Sequence, residues 1–129
     1  MKRLFYLFLC TLISYSVYAN EYIVFGVNQN LPMGIPNEVI LKDYYLNFGG
    51  HQGLRNGTII DVFRKISQIN PLSNKKRYKY KVKIGEMKII HTEESTSIAR
   101  IHKTNKQNKL IILDIDSILI GDLVDIHIK

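Results

Sequence analysis

Cysteine is almost absent from this 129-residue sequence, and its single copy, Cys10, lies in an apolar run near the N-terminus. The folded part therefore has no disulfide and depends on packing and hydrogen bonds. The sequence also lacks a phosphate-loop lysine motif, a G-x-S-x-G segment and the histidine spacing of zinc sites. After residue 19, no apolar run approaches the ~20 residues that cross a bilayer. These absences exclude the common motif-bearing enzyme classes and a later spanning helix.

The first 19 residues are typical of a secretory signal peptide. Lys2 and Arg3 provide a basic start, residues 4–15 are mostly apolar, and Val17-Tyr18-Ala19 offers a cleavage site with a small final residue. An uncleaved N-terminal anchor is the alternative. Cleavage after Ala19 would release a cysteine-free chain of about 110 residues, enough for one domain with a modest core. We therefore predict export to the periplasm, with the product soluble there or peripheral to a membrane.

Positive charge exceeds negative charge, with 18 Lys and Arg residues against 11 Asp and Glu residues and a formal net charge of +7. Loss of Lys2 and Arg3 with the leader leaves 16 basic residues against 11 acidic ones, or +5. A basic exported protein has anionic lipid headgroups, lipopolysaccharide, cell-wall polymers or acidic protein faces as neighbours. Nucleic acid is not an expected partner outside the cytoplasm.

Short β-rich segments recur along the chain at roughly ten-residue spacing, which predicts an all-β fold. We divide the chain into a signal peptide (1–19), a first strand with an extended lead-in (20–37) and a small β-barrel domain (38–129). Other expectations are an exposed loop over residues 67–76 and, as an alternative, a short helical turn near residues 64–70. The expected strands fall at residues 22–27, 38–48, 60–63, 77–91, 97–103, 110–115 and 124–128.

Glycine is concentrated between two of the predicted strands, with four glycines in the nine positions 49–57. Glycine at such spacing permits a tight, structured turn, because it adopts backbone conformations closed to other residues. We interpret the segment as a corner of the barrel; close approach of a partner backbone is the alternative. The predicted structural turn residues are Gly49, Gly53, Gly57, Gly85, Gly121 and Asp122, with Gly85 at a bulge or bend.

The clearest alternation in the sequence places four cations on one face of a strand. Arg77, Lys79, Lys81 and Lys83 alternate with Tyr78, Tyr80, Val82 and Ile84, and a period of two puts the cations on the solvent side. This face is a candidate interaction surface for anionic lipid, cell wall or an acidic partner. The alternative is a solvated strand whose lysines discourage edge-to-edge aggregation. The candidate interaction face comprises Lys75, Lys76, Arg77, Lys79, Lys81 and Lys83.

Three segments in order resemble the C-terminal domain of the bacterial flagellar assembly protein T family. The first is Asn47-Phe48-Gly49 with Gly53-Leu54-Arg55-Asn56-Gly57, then Val62-Phe63-Arg64; the second is Ile84-Gly85-Glu86-Met87-Lys88-Ile89-Ile90, then Ser95-Thr96-Ser97-Ile98-Ala99-Arg100-Ile101; the third is Ile120-Gly121-Asp122-Leu123-Val124. The likeness spans about residues 38–129. The 129 residues hold no counterpart of the family's larger N-terminal and middle domains.

This resemblance implies a small SH3-like barrel of roughly six or seven strands in the periplasm. It further implies a non-catalytic structural subunit of the flagellar motor or a similar envelope complex, acting through protein–protein contacts and capable of forming a ring. The family offers no catalytic residues to transfer. The alternative function is a binding module for peptidoglycan or the anionic outer-membrane surface, acting through the basic strand face.

Other patterns are weaker indications of chemistry. Asp114-x-Asp116, with Asp122 or Asp125, could begin a divalent-metal site, but the pattern equally describes the outer face of a strand. Ser95 and Ser97 lie beside a turn without a nucleophile motif. The four histidines are scattered. We therefore predict no enzyme activity, no metal and no cofactor. The histidines are His51, His91, His102 and His127.

Overall fold

The computed structural model describes residues 1–2, 21–105 and 117–126, and these residues form an all-β fold, as the sequence predicts. These three ranges contain six strands and one 3₁₀ turn (Gly50–Gln52), which follows β2. The strands are β1 (Val24–Gln29), β2 (Lys42–Leu46), β3 (Ile59–Asn70), β4 (Lys76–Thr92), β5 (Ser97–Thr104) and β6 (Leu123–Asp125).

All six strands belong to one antiparallel sheet in the order β1-β2-β5-β4-β3-β6. The edge strands β1 and β6 approach each other at an isolated bridge between Ile23 and Leu123. There the amide of Val24 donates to the carbonyl of Asp122 at 3.0 Å. A closed barrel would need a continuous ladder between these two strands, whereas the described residues show an open sheet whose edges touch at one end of β1.

The sheet buries one face around a single apolar core. Strand alternation supplies the pattern, because every second residue points to the same side. The ring of Tyr22 covers the core from the edge, with its centroid 4.8 Å from that of Phe48. The core consists of Val24, Tyr44, Leu46, Phe48, Leu54, Ile60, Val62, Ile84, Met87, Ile89, Ala99, Ile118 and Val124.

Several predicted boundaries differ from the structure. The expected loop over residues 67–76 is wrong, because β3 continues to Asn70 and only residues 71–75 form a turn before β4. The alternative of a helical turn at residues 64–70 is wrong for the same reason. The first strand, placed before the barrel domain in our division, pairs with β2 in the common sheet. The predicted strand at 110–115 lies outside the described residues.

The glycines at the sheet margins serve the chain's own packing. A Cβ atom at Gly85 would lie 2.5 Å from the carbonyl oxygen of Lys103 on β5, so only glycine allows this approach. Next to it, Ile84 is an extra residue in β4, because Val62 faces Gly85 while Phe63 faces Lys83. The predicted bulge at Gly85 is therefore confirmed. Gly49 is similarly crowded by the backbone of residues 93–96, whereas Gly53, Gly57 and Gly121 have positive φ angles in turns.

Candidate docking arm

A two-stranded arm extends from one end of the sheet. β3 and β4 pair along the whole of β3, but β6 contacts β3 only at residues 61–63, and β5 contacts β4 only from Gly85 onward. Residues 64–70 and 76–83 thus have each other as their only strand partner in the described chain. We call these residues, with the connecting turn 71–75, the arm. At ~3.3 Å per residue the arm reaches about 20 Å beyond the sheet.

Local sequence determines the tip of the arm. Asn70 accepts a hydrogen bond on its side-chain oxygen from the Leu72 amide at 3.0 Å, and Pro71 between them cannot continue the ladder. The Lys76 amide donates to the Ser73 carbonyl at 2.8 Å. Asn74 and Lys75 adopt positive φ angles of 44° and 55°. These contacts form a compact reversal, which explains why the strands can pair up to Asn70 and Lys76.

The predicted row of cations occupies one face of the arm. In an antiparallel pair, directly opposite residues project to the same face. Arg77 is opposite Ile69, Lys79 is opposite Ser67 and Lys81 is opposite Lys65. Lys65 thus joins this face, which strand alternation in β4 alone could not reveal because the β3–β4 register was not known. We call this side the basic face of the arm.

The root of the arm is the end that adjoins the sheet, and the predicted cations there, Lys81 and Lys83, are paired with carboxylates. Lys83 Nζ lies 2.9 Å from Asp61 and 3.0 Å from Glu86. The hydrogen bonds that Lys83 donates to Asp61 and, secondly, to Glu86 raise the pKa of Lys83. Lys81 Nζ lies 3.3 Å from Asp125 and stacks over the Phe63 ring, 4.4 Å from its centroid. Lys81 and Lys83 therefore stabilise the root more than they present charge to a partner.

The distal cations differ from those at the root. Within the described part of the chain, Lys75, Lys76, Arg77 and Lys79 have no carboxylate oxygen within 4.0 Å of their charged nitrogens, although the side chain of Lys76 lies near the Tyr78 ring. All four residues are exposed. The structure thus divides the six predicted residues into four that present charge near the tip and two that form ion pairs with carboxylates at the root.

The opposite face of the arm is also open to solvent near the tip. Tyr78 and Tyr80 alternate with the cations, and 39% and 53% of their surfaces are exposed. Ile84 on the same face of the strand is fully buried. No second layer of the described chain covers this distal face, so the arm offers an aromatic side as well as a basic side.

An ion pair anchors the arm to the C-terminal turn. Arg64 donates from Nε to Asp122 Oδ1 and from a terminal nitrogen to Oδ2, each at 2.8 Å, and also donates to the Ser117 carbonyl at 2.8 Å. Asp122 Oδ2 additionally accepts from the Leu119 amide at 2.8 Å. The hydrogen bond with Asp122 is the main cause of the raised pKa of Arg64. Sequence analysis identified Asp122 as a turn residue, but its long-range partner was not visible in the sequence.

The other residues considered for chemistry do not converge in the described chain. His91 pairs with Glu93 at 2.7 Å and His51 with Glu94 at 3.7 Å, both at the surface. Among the described residues, no group of three or more His, Cys, Asp or Glu side chains could hold a metal ion. Asp114, Asp116 and His127 lie outside those residues. No helix within the described ranges is long and apolar enough to span a membrane.

Comparison with known proteins gives no relative on which to base an assignment. The sequence matches no protein-family model. A search of curated proteins also finds no match.

Proposed function

We propose that this chain is a non-catalytic structural subunit of a bacterial envelope assembly, exported to the periplasm, which docks through its arm. The arm itself is the observation that supports this function most strongly. Its two strands leave the sheet, and its distal half exposes both a basic and an aromatic face. Aromatic residues and arginine are enriched in protein–protein interfaces, and the distal arm exposes Tyr78, Tyr80 and Arg77.

The anchoring contacts at the root favour a docking element over a freely moving loop. Arg64 is tied to Asp122 by two charge-assisted hydrogen bonds, and Lys83 is tied to both Asp61 and Glu86. Such contacts limit the directions that the arm can take before binding. A preorganised element loses less conformational freedom when it binds a partner.

The proposed location in the flagellar motor, or in a comparable envelope machine, rests on the three-segment resemblance. Two of its features have clear roles in the structure: the Gly49 segment packs against residues 93–96, and Gly85 marks the bulge at the root of the arm. We propose that the sheet that carries the arm resembles an incompletely closed SH3-like barrel, its edges meeting at the Ile23–Leu123 bridge, and that it is repeated around a ring.

Shortening the arm tests this function. Replacing residues 67–79 with Asn-Gly joins two paired positions, Ile66 and Tyr80, through a turn suited to a hairpin. We expect the variant to keep its β-sheet circular dichroism but to lose co-purification with the isolated motor or envelope complex, together with motility. The matched control is the full-length arm carrying Arg55→Glu and Lys88→Glu. Unchanged assembly and motility in the shortened variant would refute the proposal.

Binding to the cell wall or the outer-membrane surface is a second candidate function. The specific observation is the set of four distal cations without a carboxylate partner in the described chain. Contacts of this kind weaken as salt rises, because the Debye length is ~8 Å at physiological ionic strength. Retention on isolated peptidoglycan or outer membranes that survives Arg77→Glu with Lys79→Glu would argue against it.

A further inference from the structure

The loop between β1 and β2 exposes an unusual number of large apolar side chains. Residues 30–41 form this loop, and Leu31, Met33 and Val39 have 83%, 79% and 78% of their surfaces exposed. Single exposed apolar residues are common, but a group of them marks a contact with another protein or with a membrane. The exposed apolar residues of the loop are Leu31, Met33, Ile35, Val39, Ile40 and Leu41.

Internal hydrogen bonds support this loop in a defined shape. The Asn30 amide donates to the Leu41 carbonyl at 3.3 Å, which extends the β1–β2 hairpin by one step. At the turn, the Met33 amide donates to Glu38 Oε2 at 2.7 Å, and the Glu38 amide donates to the Ile35 carbonyl at 3.2 Å. Glu38 is thus hydrogen-bonded within the loop, while the apolar side chains of the loop are exposed to solvent.

This loop lies at the same end of the sheet as the arm. Each neighbouring pair of strands is antiparallel, so β1 and β5 run in one direction while β2 and β4 run in the opposite direction. The end of β1 and the start of β4 therefore lie at the same end of the sheet. The loop begins where β1 ends, and the arm contains the first residues of β4, so both leave the sheet at that end. The tip of the arm also carries apolar residues, because Leu72 is 96% exposed and Ile69 is 52% exposed. We call this end the docking end.

We infer that the docking end binds an anionic phospholipid bilayer, with the apolar residues of loop 30–41 and Leu72 entering the interfacial region. Arg77 and Lys79 then lie against the phosphates of the headgroups. This inference deepens the proposed function and rests on it in one respect, namely that the arm is the docking element. It adds a second contact, the loop, and names the partner.

Charge complementarity together with apolar exposure selects the bilayer. Peripheral membrane proteins combine apolar residues that enter the headgroup boundary with cations that attract anionic lipids. Tyr78 and Tyr80 add exposed aromatic rings on the other face of the same strand, and aromatic rings are enriched at the membrane interface. The phosphates of a nucleic acid would bind the cations, but they would make no favourable contact with loop 30–41, whose exposed side chains are mainly apolar. The bilayer is the partner that uses both elements at once.

Tryptophan fluorescence tests the insertion directly, because the sequence contains no tryptophan. Met33→Trp and Leu72→Trp place single probes on the loop and on the arm, and His51→Trp places a control probe in the 3₁₀ turn at the opposite end. With vesicles of phosphatidylglycerol mixed with phosphatidylcholine, we expect a blue shift at positions 33 and 72 and none at 51. Vesicle attachment through residues 1–19 alone would leave the probes at 33 and 72 unchanged and would overturn the inference.

Charge reversal is a second, independent experiment. Each cation near an anionic surface contributes ~1 kcal/mol, which is about fivefold in the partition coefficient. Arg77→Glu with Lys79→Glu should therefore weaken vesicle binding by at least about 25-fold, while Arg55→Glu with Lys88→Glu, an equal charge change elsewhere, should have a much smaller effect. Equal losses in both pairs would contradict the inference, as would equal binding to pure phosphatidylcholine vesicles.

A separate variant tests the contribution of loop 30–41 to vesicle binding. Leu31→Ser, Met33→Ser and Ile35→Ser together should reduce vesicle binding at least tenfold and leave the far-ultraviolet circular dichroism unchanged. Ile101→Ser, an exposed apolar residue on β5, is the control. Tight binding to duplex DNA with no vesicle binding would overturn the inference. Loss of vesicle binding in the loop variant while motor assembly persists would separate this inference from the proposed function.

Discussion

The ion pair between Arg64 and Asp122 provides a quantitative test of how the arm is anchored. Only 15% of the Arg64 side chain and 5% of the Asp122 side chain are exposed, and Nε and a terminal nitrogen each bond one carboxylate oxygen. Arg64→Ala would leave the carboxylate buried with the Leu119 amide as its remaining donor. Breaking a fully buried pair costs ~3–5 kcal/mol, and the residual exposure of Arg64 lowers our expectation to about 2–3 kcal/mol.

Urea unfolding followed by circular dichroism measures this loss. With a slope of ~1–3 kcal/mol/M, a loss of about 2–3 kcal/mol should lower the midpoint by about 0.7–3 M without a change in slope. The matched control is Arg100→Ala, which removes a bond of 2.6 Å to Asp43 at a site where 41% of the arginine side chain is exposed. Exposed pairs contribute little because water and salt screen them. If Arg64→Ala lowers the midpoint no more than Arg100→Ala, the argument from burial fails.

Three further predictions concern the sheet itself. Gly85→Ala should destabilise the protein by roughly 1–3 kcal/mol in urea unfolding, because the added Cβ would lie 2.5 Å from the Lys103 carbonyl; a neutral result would contradict the close approach. Ser97→Ala should leave stability unchanged or raise it by up to ~1 kcal/mol, because its buried hydroxyl has no hydrogen-bond partner among the described residues; a clear loss would show that a partner exists. Burial, and secondarily the charge of Asp122, raises the pKa of Tyr44 in the folded state. The preference of the folded state for the neutral phenol therefore contributes its full stabilisation below the unfolded-state pKa of ~10. This stabilisation is lost as pH rises through the higher folded-state pKa. Tyr44→Phe should therefore lose less stability than the parent between neutral and strongly alkaline pH in urea titrations, and parallel losses would contradict this reasoning.

The all-β class and the bulge at Gly85 could be predicted because each depends on local sequence. Alternation over residues 77–84 gives the direction of the side chains, and glycine within an apolar strand indicates a bulge or a close approach. Ile84, the extra residue of the bulge, lies on the buried face that the alternation indicates, and Met87 is buried beyond it. Segment 97–103 also forms a strand as expected, extended by one residue to Thr104.

The arm could not be predicted, because its existence depends on which strands stop early. Ser67 and Gln68 are polar and the pair Asn70-Pro71 follows soon after, so the pattern favoured a loop, whereas pairing with Lys76 and the residues after it extends β3 to Asn70. The ion pairs of the root join residues far apart in sequence, such as Arg64 with Asp122. Alternation in one strand says which side chains share a face but not which carboxylates will lie beside them.

Loop 30–41 also has a feature that depends on strand order and could not be predicted from local sequence. Its prolines and glycine indicated irregular structure over residues 28–37, but the expected strand from residue 38 is wrong at 38–41, because β2 begins only at Lys42. The position of the loop at the same end of the sheet as the arm follows from the β1–β2–β5–β4 order of the strands. The sequence alone therefore identified a basic face and missed the apolar loop at the same end.

Amide hydrogen exchange of the full chain, with and without phosphatidylglycerol-containing vesicles, tests the central claim that binding takes place at the docking end. The account predicts slowed exchange in residues 31–40 and 71–79 when vesicles are added. Exchange should stay unchanged in residues 50–57 and 93–96 at the opposite end. Protection confined to that opposite end, or no protection at either end, would contradict the account.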